Sequence, residues 1–156
     1  MVEIDLSKLL GRQGFHINSQ LAYNGLSFTV NTLADIRANR YLFIDIKKAI
    51  ELAHFYNIPT EPLRQPVKIR GFSSLDRPYI THTIKLYLIV GGQQFLNQTF
   101  LILNLGQHKA IISRQWFAEH DVWLDIQNQQ LIWPYKQTLK DKLEASQPKI
   151  LPRQIL

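Results

Sequence analysis

The chain contains no cysteine. That absence excludes disulfides, thiolate catalysis and cysteine-based zinc sites. It fits an intracellular, cytoplasmic location. No apolar run approaches the ~18 residues that would cross a bilayer as a helix, so no membrane partner is expected. The opening stretch, Met-Val-Glu-Ile-Asp, brings acids early and no long apolar segment, so no secretory signal is expected. Acidic residues are the minority, 12 Asp+Glu against 18 Lys+Arg, for a formal charge of +6. Such a surplus can serve an acidic partner. Here the charges are scattered, and the basic tail carries Asp141 and Glu144 among its lysines. The surplus reads as a solvated surface, and nucleic acid is not an expected partner.

Several catalytic signatures are missing as well. There is no Gly-x-Ser-x-Gly elbow, no His-Glu-x-x-His and no glycine-rich phosphate loop. Gly11-Arg12-Gln13-Gly14 is too short for such a loop and follows no convincing strand. The five histidines are His16, His54, His82, His108 and His120. No two of them have metal-ligand spacing in sequence, and His120 beside Asp121 would point away from it on a strand. No metal and no cofactor are expected. Trp116, Trp123 and Trp133 with Phe117 could stack bases, but their apolar, alternating contexts point to core packing.

What remains is a chain of 156 residues, 46% hydrophobic, enough for one domain with a real core. Apolar and polar residues partly alternate on both sides of Asn24-Gly25, which predicts a hairpin. Its second strand, Leu26 to Ala34, leads into Asp35. Ile46, Ala49, Ile50, Ala53 and Phe55 fall near helical spacing, with Asp45 as N-cap and Pro59 beyond the end. Val67 and Ile69 alternate with Lys68 and Arg70, and Gly71 opens a loop. Ile84, Leu86, Leu88 and Val90 share one face of a strand that Gly91-Gly92 turns into another. Ala110-Ile111-Ile112 predicts a short buried strand. Ser113 is placed to cap a helix over 114–120 that packs Trp116 and Phe117 inward. A last strand pair runs to Pro134. The chain divides into an N-terminal arm (1–14), a domain (15–134) and a C-terminal linker or tail (135–156). Many short strands with turn signals predict a mostly β barrel or sandwich.

Four stretches then carry a family resemblance. They are Thr32-Leu-Ala-Asp-Ile-Arg-Ala-Asn-Arg-Tyr-Leu-Phe-Ile-Asp45, Val67 to Ile84, Ala110 to Asp125, and Leu131-Ile-Trp-Pro134. In this order and spacing they resemble the retropepsin-like aspartic protease domain of a Gypsy-type LTR retrotransposon polyprotein, closest to fungal versions. The resemblance implies a closed β-barrel with one medium helix and one short C-terminal helix. It also implies a homodimer in which each copy supplies one aspartate. The two carboxylates share a proton, one activating water and the other protonating the peptide carbonyl. By position Asp35 corresponds to the catalytic aspartate. Ala38 corresponds to the alanine after the motif, and Gly71, Phe72, Ser73 and Ser74 to the flap over an extended peptide or polyprotein segment. Without the resemblance, Asp35 reads as a residue that fixes a turn.

The active-site motif departs from the family's pattern. Ile36 stands where the family has a hydroxyl that holds the two turns of the dimer together. Arg37 stands where it has glycine, and Ser113 where it has glycine after two aliphatics. A guanidinium beside Asp35 favours the ionised carboxylate, and a fully ionised pair cannot hold the shared proton. No other Asp-Xaa-Gly occurs in the chain. The reading is a domain descended from an aspartic endopeptidase, with a damaged centre, little or no activity and a weakened dimer. The alternatives are an active endopeptidase that processes a polyprotein and a non-catalytic peptide-binding or assembly module.

Overall fold

The computed structural model describes residues 3–5, 14–35, 41–70 and 79–134. The hairpin forms as its turn dictates. β2 (Gly14–Tyr23) and β3 (Leu26–Asp35) pair antiparallel along their whole length, from Gly14 opposite Asp35 to Tyr23 opposite Leu26. Asn24 and Gly25 both take positive φ, 53° and 82°, which suits the twist of a two-residue hairpin.

Two further strands enter directly into helices. β4 (Leu42–Asp45) runs into α1 (Ile46–Tyr56), and β8 (Ala110–Ser113) runs into α2 (Arg114–Glu119). Between them lie β5 (Glu61–Arg70), β6 (Tyr79–Val90) and β7 (Gln93–Leu103). The prolines of β5 coincide with a register shift between Pro62 and Val67, where the ladder tolerates missing donors. β1 (Glu3–Asp5) lies parallel to β5, and β9 (Trp123–Asp125) with β10 (Gln130–Ile132) forms a separate two-stranded sheet.

The main sheet has the order β1-β5-β6-β2-β3-β8-β4-β7, and an added β6–β7 pairing closes it. The closed part is a six-stranded mixed barrel, β6-β2-β3-β8-β4-β7. Two of its ladders are parallel, β3 with β8 and β4 with β7. β6 serves as the hub. Its early residues pair with β5, its late residues with β2, and its other edge with β7.

The apolar residues separate into two cores. Phe15, Leu21, Ile84, Leu86, Leu88, Phe100, Trp116 and Phe117 belong to the larger one. Leu33, Phe43, Val67, Ile69, Ile80, Leu101 and Ile111 belong to the second. Strands between the two cores alternate their allegiance. Leu42 and Ile44 face the first and Phe43 the second, as Ala110 and Ile112 do against Ile111. This explains why β4 and β8 read as unbroken apolar runs: both of their faces are buried.

α1 is fastened at both ends. Asp45 Oδ2 accepts from the Lys47 N–H at 3.1 Å, and Asn57 ends the helix with φ 54°. The Ile58 and Asn57 amides return to the carbonyls of Ala53 and His54, a Schellman ending. Tyr56 donates its hydroxyl to the Leu26 carbonyl at 2.8 Å and so ties α1 to the hairpin. The helical stripe is narrower than its spacing predicts. Ala49 and Leu52 are buried, while Ile46, Ile50 and Phe55 are exposed.

Three local expectations are corrected. Ser113 sits at the N-cap position of α2 but its side chain makes no capping hydrogen bond. Trp123 does not pack in a core: it is 74% exposed, because β9 has no layer over that face among the described residues. Trp116 does pack inward, giving its indole N–H to Gln98 Oε1 at 2.9 Å, and Trp133 is half-buried across Gly91. His120 and Asp121 are not on a strand. His120 closes α2 and Asp121 turns the chain with φ 58°.

Candidate functional site

Asp35 is the last residue of β3 and is fully buried. Three strands position it. On one side β8 runs parallel and brings Ser113 into register with it. On the other, β2 brings Gly14 opposite. A Cβ at Gly14 would collide with the Ala34 carbonyl oxygen, so the close approach of β2 to this strand end requires glycine.

Alternation sets the direction of the side chains. Leu33 and Ile111 belong to the second core, so Asp35 and Ser113, two residues further along each strand, share that side of the sheet. The core on that side of the sheet is apolar, with Leu33, Ile111, Phe43, Ile69 and Ile80 among its members and half-buried Tyr41 packed against it. Ser113 Oγ is buried and has no hydrogen-bond partner among the described residues. A buried carboxylate beside an apolar core and a neighbouring hydroxyl is chemically equipped for proton transfer. One chain supplies one such carboxylate.

The second buried aspartate, Asp45, is occupied by structure. Its Oδ2 caps α1, and its Oδ1 accepts the Leu105 N–H at 3.0 Å. Its own amide donates to the Lys109 carbonyl at 2.9 Å. It holds the start of α1 against the 104–109 loop.

Of the sequence-predicted site residues, Asp35 is placed at a buried strand end as described. Ala38, Gly71, Phe72, Ser73 and Ser74 lie outside the described residues, as do Ile36 and Arg37. A cavity of about 460 Å³ opens elsewhere, between α2 and β9, lined by Arg114, Ala118, Val122, Trp123 and Leu124 among others. Asp35 does not line it.

Sequence spacing missed one pairing. His16 on β2 and His108 in the loop before β8 come together, with His16 Nε2 3.4 Å from His108 Nδ1. Burial, and secondarily the nearby His16, holds His108 below the usual histidine range. The two are 92 positions apart, so no local pattern announces them. Among the described residues no three His, Cys, Asp or Glu side chains gather as a metal centre, and no helix is long and apolar enough to cross a membrane.

No family model and no curated protein matches the chain. Solved structures do. The retroviral protease-like domain of Ddi1 from Leishmania major is 13% identical, over 80% of this chain and 90% of that one, with a TM-score of 0.53. At that identity the likeness establishes the fold: a mostly β, closed retropepsin-like barrel, with two helices among the described residues.

Proposed function

We propose that this chain is a retropepsin-like domain of a Gypsy-type retrotransposon polyprotein, descended from a homodimeric aspartic endopeptidase, with little or no remaining peptidase activity. The observation that carries the reading is the pairing of Asp35 with Ser113 at the end of a parallel strand pair in a retropepsin-like barrel. The same position begins the sequence Asp35-Ile36-Arg37. Ancestral chemistry needs two carboxylates sharing one proton, so that one can activate water while the other donates. Ile36 has no hydroxyl to join two such turns. Arg37 favours loss of the shared proton, and a second copy brings a second guanidinium. Such a domain is a pseudoenzyme that keeps the scaffold.

Two copies would meet with their Asp35 strand ends facing each other, as a shared proton requires.

The test is cleavage of a mixed peptide library between about pH 4 and 7, where a coupled carboxylate pair can hold one proton. The native chain is run beside Asp35→Asn. No cleavage by either folded protein is the expected result. Cleavage that disappears in Asp35→Asn overturns the pseudoenzyme reading and makes Asp35 a working catalytic group.

A further inference from the structure

His16 and His108 meet nitrogen to nitrogen. Their ring planes are 18° apart and their centroids are 5.4 Å apart, although the facing nitrogens are 3.4 Å apart. Centroids so much further apart than the nitrogens mean that the rings meet edge to edge. Two ring nitrogens therefore face one small volume at the protein surface.

We propose that His16 and His108 form a two-histidine site for a divalent transition metal ion of the zinc, nickel and copper class. The spacing is the first argument. A tetrahedral ion held at about 2.0–2.1 Å by two imidazoles separates their nitrogens by about 3.3–3.4 Å. The observed 3.4 Å matches, so the ion enters with a modest turn of the rings and no movement of the backbone.

The mounting is the second argument. His16 lies within the continuous β2–β3 ladder, opposite Leu33. His108 donates its amide to the Leu105 carbonyl at 3.2 Å, and the next residue, Lys109, accepts from the Asp45 amide. Both imidazoles are thus carried on fixed backbone, which a metal site requires.

Ligand type sets the class of ion. Two neutral imidazoles suit zinc, nickel and copper, whereas calcium and magnesium demand oxygen ligands. Binding requires the facing nitrogens, His16 Nε2 and His108 Nδ1, to be unprotonated, so each neutral ring carries its proton on the other nitrogen. With no third His, Cys, Asp or Glu converging there among the described residues, water completes the coordination sphere. Bound metal would clip β2 to the loop that leads into β8. It would lie on the Asp35 side of the sheet, since His16 follows Gly14 by two residues and Gly14 is opposite Asp35. The site does not depend on any peptidase activity.

The experiment is a thermal-melt titration of the full chain with zinc and nickel chlorides, reversed with EDTA. Binding to the native state alone raises Tm with metal concentration. The expected result is a rise in the native chain that vanishes in His16→Ala and in His108→Ala and persists in His54→Ala and His82→Ala. Each variant is compared with its own metal-free melt, so a change in basal stability does not confound the reading. Nickel-induced broadening of the histidine ring signals provides the second measurement. It should fall first on His16 and His108. No rise in the native chain, an equal rise in the His16 and His108 variants, or broadening centred on other histidines overturns the proposal.

Discussion

Two strand–helix units in this barrel share one plan and diverge at one residue. β4 is four buried residues ending in Asp45 and passes straight into α1. β8 is four buried residues ending in Ser113 and passes straight into α2. The two strands pair antiparallel, and each has a parallel neighbour, β7 and β3. In the first unit the last strand residue is committed: Asp45 caps its helix and holds the Leu105 amide. In the second, the last strand residue caps nothing, and its register neighbour is Asp35. The contrast separates a corner that secures the fold from the corner to which the proposed function assigns the ancestral chemistry. A hydroxyl buried without a partner does not stabilise the fold, so among the described residues the Ser113 hydroxyl secures nothing at its corner.

The largest effect should come from the anchor of the second unit. Phe117→Ala opens a cavity where the side chain is fully buried and should cost about 3–5 kcal/mol in urea denaturation. Asp45→Ala comes next. It removes the cap of α1 and strands a backbone donor, for about 2–4 kcal/mol. If that variant melts like the native chain, the contrast between the two corners fails. Ser113→Ala should be the opposite case, neutral or stabilising by up to about 1 kcal/mol, because it removes an unsatisfied buried hydroxyl. A loss above that range would mean that Ser113 secures its corner after all. Smallest of all, Ile50→Gln on the exposed side of α1 should stay within about 0.5 kcal/mol of the native chain.

The legible parts of the sequence were the local ones. Asn24-Gly25 specified its hairpin because two positive φ values are needed there and the residues allow them. The reach of α1 was legible from Asp45 and Pro59, and the strand face of Ile84, Leu86, Leu88 and Val90 from a period of two. Asp35 at a strand end could be read from Leu26 to Ala34 before it. Other features depend on partners distant in the chain. β4 is buried on both faces and shows no alternation to read. β1 owes its existence to β5, more than sixty positions away. Trp123 has the apolar neighbours of a core residue yet faces outward, because nothing in its own segment says whether a second layer covers it. The meeting of His16 with His108 is set by barrel closure and by neither segment alone.

The parallel ladder that carries Asp35 also imposes an order on synthesis. β2 and β3 can pair as soon as both have left the ribosome. Their partner β8 follows roughly 80 residues later, which at ordinary elongation speed is a delay of about 4–16 s. Through that interval Leu33 and Ala34 present apolar faces, and β3 has an open edge able to recruit a strand from another nascent chain. On a message read by several ribosomes at once, that edge is exposed where identical nascent chains are most concentrated. The topology that buries the aspartate therefore makes the chain's yield depend on how quickly its own second half arrives.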